Sequence, residues 1–354
     1  MRKKNVVFVA FLVLMLALTG CSGAGTKKTA SSDSKKDGLT KITFSEPARI
    51  LSMAPFYVAI AKGYFKEEGI EANIASGGGG AQVVATLLSG DAQFGLSAPA
   101  SMFKPLEAGK DFVAVQSLNS ALTYEIALSN QYLKEKKLSP NASLDERVAA
   151  LEGATIGTDN VGDSGEIYMR YLMKLHGKDP LALKTVKLTG RGPKISAMKQ
   201  GIVDGGTNSA PFSLEVEDKK VGSQWIKASE EPAYGHMAWE VVFANKEYLE
   251  KNHDLAVKVV RAIGKGIQFT RENPQESAKL IVPYFEGTDV SILEKSLIGM
   301  KATFQGYGEM NQELWDNAQE PLLEFSKMSQ ITKKQDTKPD GIWTNSYIEK
   351  AFSK

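Results

Sequence analysis

The sequence predicts an α/β fold of two related halves, on three observations. Short strand-like runs alternate with single helix-length segments from residue 41 onward. Helices stop at glycines, the residue that most easily takes the left-handed conformation closing a helix. One unit of helix, glycine, strand and Ser-Ala-Pro loop occurs twice. Its strand and loop fall at residues 91–99 after Gly90 and again, one residue longer, at 202–211 after Gly201. Strands separated by single helices form mainly parallel sheets.

In chain order, residues 42–44 read as the first strand. Ser52 near the cap, Pro55 in the first turn and Gly63 past the end bracket a helix over 56–62. Residues 72–74 are the next strand, and the glycine run 77–80 leads into a helix over 81–89. A strand over 94–96 precedes Ser97-Ala98-Pro99 and a helix reaching Ala108, and residues 112–115 follow as strand. The middle repeats the pattern, with helices over 143–151, 164–175 and 194–200 and strands over 153–157 and 186–188. Residues 240–244 are a further strand, and the remainder is expected to be helical to the C-terminus. There Ala256, Val259, Val260, Ile263 and Ile267 share one helical face, a core stripe, and Pro274 ends the element.

Ahead of this body, Arg2, Lys3 and Lys4 precede an apolar run over residues 6–18, which ends in Leu18-Thr19-Gly20-Cys21. A spanning helix needs roughly 20 apolar residues, so this shorter run reads as a secretory signal. Small residues directly before a cysteine resemble the bacterial lipobox, in which Cys21 is lipidated and becomes the mature N-terminus. Residues 1–20 are therefore expected to be a lipoprotein signal peptide. Residues 21–40, rich in Gly, Ser, Thr and Lys, are expected to be a flexible tether. The expected location is the extracytoplasmic side of a cell membrane, held by the lipid.

The chain has 43 basic and 41 acidic residues. Removing residues 1–20 takes away three basic and no acidic ones, leaving 40 against 41 and a charge of −1. That balance provides no field for nucleic acid. Cys21 is the single cysteine, so the mature body has none left for disulfides or thiol chemistry. His176, His236 and His253 are scattered, which disfavours a histidine-rich metal site. No cofactor or metal is expected.

Residues 54–70 (APFYVAIAKGYFKEEGI) resemble the first helix of substrate-binding proteins of the nitrate/sulfonate/pyrimidine import group. Residues 87–95 (LLSGDAQFG), 151–157 (LEGATIG) and 198–204 (MKQGIVD) match further family positions in order, and the resemblance runs from residue 42 to 352. It implies a type II periplasmic-binding-protein fold, two α/β lobes joined by two crossovers and closing on a ligand as a hinged clamp. Carried onto this sequence, the crossovers fall near 123–127 and 239–242. Lobe one is then 41–123 plus 240–354, and lobe two 124–239. The family also implies a small-molecule ligand and an ABC permease and ATPase as partners; a monomer is expected.

Ligands of open α/β sheets bind outside the carboxyl ends of the strands, where helix N-termini leave amides unsatisfied. That rule selects loops at 52–56, 76–82, 97–101 and 159–164, with 208–212 as the counterpart of 97–101. The candidate ligand contacts are Ser52, Phe56, Gly79, Gly80, Gln82, Ser97, Asp159, Asn160, Ser164, Asn208, Trp239 and Glu240. The glycine run either brings backbone amides close to an oxygen-rich group or is a turn that touches nothing. It is no P-loop, because no Gly-Lys-Ser/Thr follows. Phe56 either stacks on a flat ligand or packs in the core. Asp159, Asn160, Asp163 and Ser164 exceed what capping one helix requires. Arg191 and Lys194 either hold an anion or are solvated. Trp239 and Glu240 either supply a stacking face and a carboxylate acceptor or pack the hinge.

The function expected is an extracytoplasmic solute-binding lipoprotein that delivers a small organic ligand (sulfonate, pyrimidine or related) to an ABC importer. Two alternatives stay open: a receptor presenting its ligand to a signalling partner, and an enzyme on the same fold. The pyrimidine synthases of thiamine biosynthesis are such enzymes, but they carry a cysteine-rich signature and act inside cells. No catalytic set assembles here, so no enzyme activity is expected. The loops favour a flat or semi-polar organic molecule over an inorganic anion.

Overall fold

The computed structural model describes residues 38–139 and 141–353. The signal peptide, Cys21 and most of the tether lie outside them. Among the described residues, ten strands form two five-stranded sheets. The strands are β1 (Thr40–Glu46), β2 (Ile70–Ser76), β3 (Phe94–Ser97), β4 (Phe112–Asn119), β5 (Tyr124–Ser129), β6 (Thr155–Thr158), β7 (Lys184–Lys187), β8 (Gly205–Ser209), β9 (Gly222–Lys227) and β10 (Glu240–Asn245).

The first sheet is ordered β2-β1-β3-β10-β4 and the second β7-β6-β8-β5-β9. Their designs are equivalent. In the first, β1 pairs parallel with β2 and β3, and β10 runs antiparallel between β3 and β4. In the second, β6 pairs parallel with β7 and β8, and β5 runs antiparallel between β8 and β9. The chain leaves the first sheet through residues 120–123 and returns through 228–239. Each crossover thus delivers the antiparallel strand of the sheet it enters. Its first residue, Tyr124 on β5 or Glu240 on β10, emerges beside the carboxyl ends of the parallel strands. Register makes the equivalence concrete: Ser209 lies opposite Tyr124, and Ser97 lies opposite Val241, next to Glu240. Those two serines open the repeated Ser-Ala-Pro loops.

The helices that build the site and its support are α1 (Ala54–Ala61), α2 (Gly79–Ser89), α3 (Ala100–Glu107), α4 (Ser164–Leu175), α5 (Arg191–Lys199), α6 (Phe212–Asp218), α7 (His253–Glu272), α8 (Val290–Met300) and α9 (Gln312–Glu324). Pro55 sits in the first turn of α1, where its missing N–H costs nothing. The predicted stripe on α7 is buried with Phe44 and Phe56 in one apolar cluster. Each such large side chain contributes about 1.5–3 kcal/mol on burial.

Two strands and one C-terminal segment depart from expectation. β5 and β9 are strands that local patterning did not reveal, because β9 reads Gly-Ser-Gln-Trp-Ile-Lys, without a clean apolar alternation. The C-terminal part is not helical throughout: residues 330–345 form no helix. Pro339, Asp340 and Gly341 break any helical period there, and Asp340 takes φ +63°. Instead the Ala114 N–H donates to Ile342 O at 3.0 Å and Ala114 O accepts from the Thr344 N–H at 3.0 Å. Among the described residues, no helix is long and apolar enough to cross a membrane.

Candidate ligand-binding cleft

A cleft of about 1010 Å³ is lined by loops from both sheets. One wall begins with the glycine run. Gly77, Gly78 and Gly79 have φ of +112°, +79° and +73°, a region that side chains disfavour, so the chain turns sharply from β2 into α2. At Gly80 the reason is space: a Cβ there would lie 2.1 Å from Ser101 Oγ. The N-termini of α2 and α3 therefore approach closely, with Ser97 Oγ 2.8 Å from Ser101 Oγ. No side chain caps α2, α3 or α5. On α4 the opposite holds. Asp163 accepts from the Glu166 N–H at 2.8 Å and the Asn160 N–H at 2.9 Å, while burial raises its carboxyl above the usual range.

Glu240 lies against the floor, 2% exposed. Its Oε1 accepts from Ser52 Oγ at 3.3 Å, and its Oε2 has no hydrogen-bond partner. Burial pushes this carboxyl up to about 8, with the Ser52 bond pulling down and the charge of Glu46 pushing up. Beside it, Trp239 donates from Nε1 to Thr123 Oγ1 at 3.1 Å and meets the Tyr124 and Tyr168 rings at 5.2 and 5.5 Å. Burial, then the charges of Asp163, Asp159 and Glu240, hold the Tyr124 phenol well above its ordinary range, so it stays a neutral donor.

Three of the cations around the cleft are paired with carboxylates. Lys194, buried beneath the wall, pairs with Asp159 at 2.9 Å, and burial lowers its pKa against that partner. Asp159 also accepts from the Gly190 N–H at 2.7 Å and Asn208 Nδ2 at 3.1 Å, which ties the loop before α5 to β8. Arg191 pairs with Glu215 of α6 at 3.0 Å. Arg49 pairs with Glu46 and lies over the Tyr57 and Tyr284 rings, while Tyr57 donates to Glu46 Oε2 at 2.7 Å.

Of the residues expected at the site, Gly79, Gly80, Ser97, Asp159, Asn160, Ser164, Asn208, Trp239 and Glu240 line the cleft. Three do not. Phe56 is fully buried against Phe44 and Phe65, at 4.9 and 5.7 Å between ring centres, because α1 is apolar on every side. Ser52 is buried behind Glu240 and touches the carboxylate, not the cleft. Gln82 is exposed on the first turns of α2. Arg49, Tyr124 and Glu215 also line the cleft and were not singled out from the sequence. For Tyr124 a signal existed: the chain repeat, carried through to the crossovers, makes it the counterpart of Glu240. For Arg49 and Glu215 no local signal existed, since their positions follow from long-range packing.

The sequence profile described as "NMT1/THI5 like" matches residues 51–277, more than half of the chain and most of the cleft-lining loops, the segments 47–50 and 286–288 lying outside it. The chain belongs to this family. Beyond the NMT1/THI5-like profile, "Putative binding protein YtlA" of Bacillus subtilis (strain 168) is similar, at 25% identity over 292 residues, 82% of this chain and 80% of that one. Among solved structures, the periplasmic aliphatic sulphonate binding protein SsuA from Escherichia coli is similar with a TM-score of 0.68 at 16% identity, covering 87% of this chain and 99% of that chain. The periplasmic nitrate-binding protein NrtA from Synechocystis PCC 6803 is similar with a TM-score of 0.64 at 16% identity, covering 84% of each. At these identities the likeness establishes the fold, the periplasmic-binding-protein architecture expected above, and leaves the ligand of this NMT1/THI5-like chain to its own cleft.

Proposed function

We propose that this chain is the extracytoplasmic solute-binding component of an ABC importer. In this reading it is a monomer anchored by lipid on Cys21, and it hands a small organic ligand (a sulfonate, pyrimidine or related molecule) to a permease and its ATPase without chemical change. The observation that carries the reading is the cleft, where two sheets of equivalent topology present their strand ends and uncapped helix N-termini. Lobe one (41–123 plus 240–354) and lobe two (124–239) would close on the two crossovers, excluding water from the ligand. The binding roles named for YtlA, SsuA and NrtA support the same reading.

The experiment is uptake. A ligand found by thermal shift over a nutrient panel should no longer be imported by cells lacking this chain. Unchanged import of a ligand that the protein binds would overturn the transport role. In those cells complemented with the Cys21→Ala variant, incorporation of labelled fatty acid should be abolished, leaving the precursor uncleaved or soluble. Undiminished labelling would overturn the anchor.

A further inference from the structure

Resting on the solute-binding reading, we infer that the cleft takes a flat amphoteric organic ligand, with a cationic or N–H-rich end on Glu240 and an oxygen end on the first-turn amides of α2 and α3. Four observations lead there. The lining contains five carboxylates, Asp159, Asp163, Glu215, Glu240 and Glu286, against three cations, Arg49, Arg191 and Lys219. Two of those cations are already paired with carboxylates, and Lys219 is exposed at the rim. An oxyanion such as nitrate or a sulfonate placed on the floor would meet no free cation and would face Glu240.

Glu240 Oε2 is the second observation: a buried acceptor without a partner, at the start of the crossover strand and against the cleft. A buried polar atom left unpaired is costly, and a ligand N–H placed there removes that cost. Third, the uncapped N-termini of α2 and α3 stand next to Glu240, because Ser97 at the end of β3 is registered against Val241. The N–H groups of Gly79, Ser101, Met102 and Phe103 already donate to the Pro47, Ala98 and Pro99 carbonyls, so the amides of Gly80 and Ala100, both lining the cleft, are the ones that suit a carbonyl or carboxylate oxygen. Finally, Trp239 and Tyr124 supply aromatic surface beside the carboxylate. Donor amides, an acceptor carboxylate and aromatic surface thus line one cleft.

The charge of Glu240 gives the test a sign. The groups that bear on it are Ser52, Glu46 and the Tyr124 and Tyr168 phenols. Its carboxyl holds a proton up to about pH 8. A cation binds the ionised form and drives that proton off, so its affinity rises with pH. An anion prefers the protonated form, so its affinity falls.

Calorimetric titration of the purified chain with 4-amino-1-methylpyridinium and with benzenesulfonate, whose charges are constant from pH 6 to 9, separates the cases. The pyridinium should bind more tightly, gaining up to about tenfold per pH unit below the Glu240 transition and levelling above it. Adding a 3-carboxamide to its ring should tighten it further. Glu240→Gln should weaken the pyridinium about tenfold or more at pH 8.5 and flatten its profile. Ser52→Ala should keep the profile and move its midpoint upward, because the hydroxyl that favours the ionised form is gone. Tighter sulfonate binding, an inverted or flat wild-type profile, or no binding of any probe overturns the ligand class. No tightening by the carboxamide overturns the oxygen end. None of these results bears on import, which the uptake experiment decides separately.

Discussion

Glu240 owes its environment to strand register. β10 enters antiparallel beside β3 and β4, and its first residue lands where the parallel strands end. Burial there raises the carboxyl from 4.5 to about 8. Between those values the folded chain holds a proton that the unfolded chain has lost, so stability falls as pH rises across the window. The loss grows by about 1.4 kcal/mol per pH unit across that window. Glu240→Gln should therefore leave the melting temperature of the empty protein nearly unchanged at pH 4.5 and raise it progressively toward pH 8. Scanning calorimetry at several pH values checks this, and a pH-independent shift would contradict it. Gly80 makes the opposite point about space. Gly80→Ala drives a Cβ into Ser101 Oγ, and should cost about 1–3 kcal/mol of stability by denaturant titration.

At the scale of elements, the helices differ in how their N-termini are satisfied. α4 satisfies its own first turn through Asp163, whereas α2, α3 and α5 leave theirs without a side-chain cap. Asp163→Ala should cost about 1–2 kcal/mol, since two backbone amides lose their acceptor. α9 has a purely structural task. Leu314, Trp315, Ala318 and Leu322 are buried in a cluster that includes Phe103 of α3 and Tyr168 of α4, and Glu324 pairs with Lys174. Trp315→Ala should destabilise by about 3–5 kcal/mol through the cavity it leaves. The control is Leu181→Ala, 83% exposed, which should change stability by no more than about 0.5 kcal/mol.

At the scale of the molecule, two strands of chain join the sheets, at residues 120–123 and 228–239, while α9 packs on helices from both. A clamp that closes on a ligand would pivot about these crossovers. Saturation with a binding ligand should lower the radius of gyration in solution scattering. An unchanged profile would count against the clamp while leaving binding intact. Glu125, buried at the first crossover and raised to about 7 by burial, holds the N-terminus of α6 through the Ser213 N–H at 2.8 Å. Its ionisation adds a second loss of stability between pH 4.5 and 7, of the same sign as that of Glu240.

By itself the sequence determined the α/β alternation, the helix ends and the repeated loops. Those signals are local: glycine conformation, proline position and apolar period act within a few residues. It also pointed to Trp239, Glu240, Asp159 and the glycine run. Only the tertiary structure decided which of two aromatics, Phe56 in the first turn of α1 or Trp239 just before β10, reaches the cleft, because neither position in sequence fixes what packs against the ring. Ion pairing was equally out of reach. Lys194 finds Asp159 and Arg191 finds Glu215 across distances in sequence that no period spans. Those pairings occupy Lys194 and Arg191 and leave Glu240 Oε2 without a partner, so the character of the site is a product of strand order and register, which long-range packing sets.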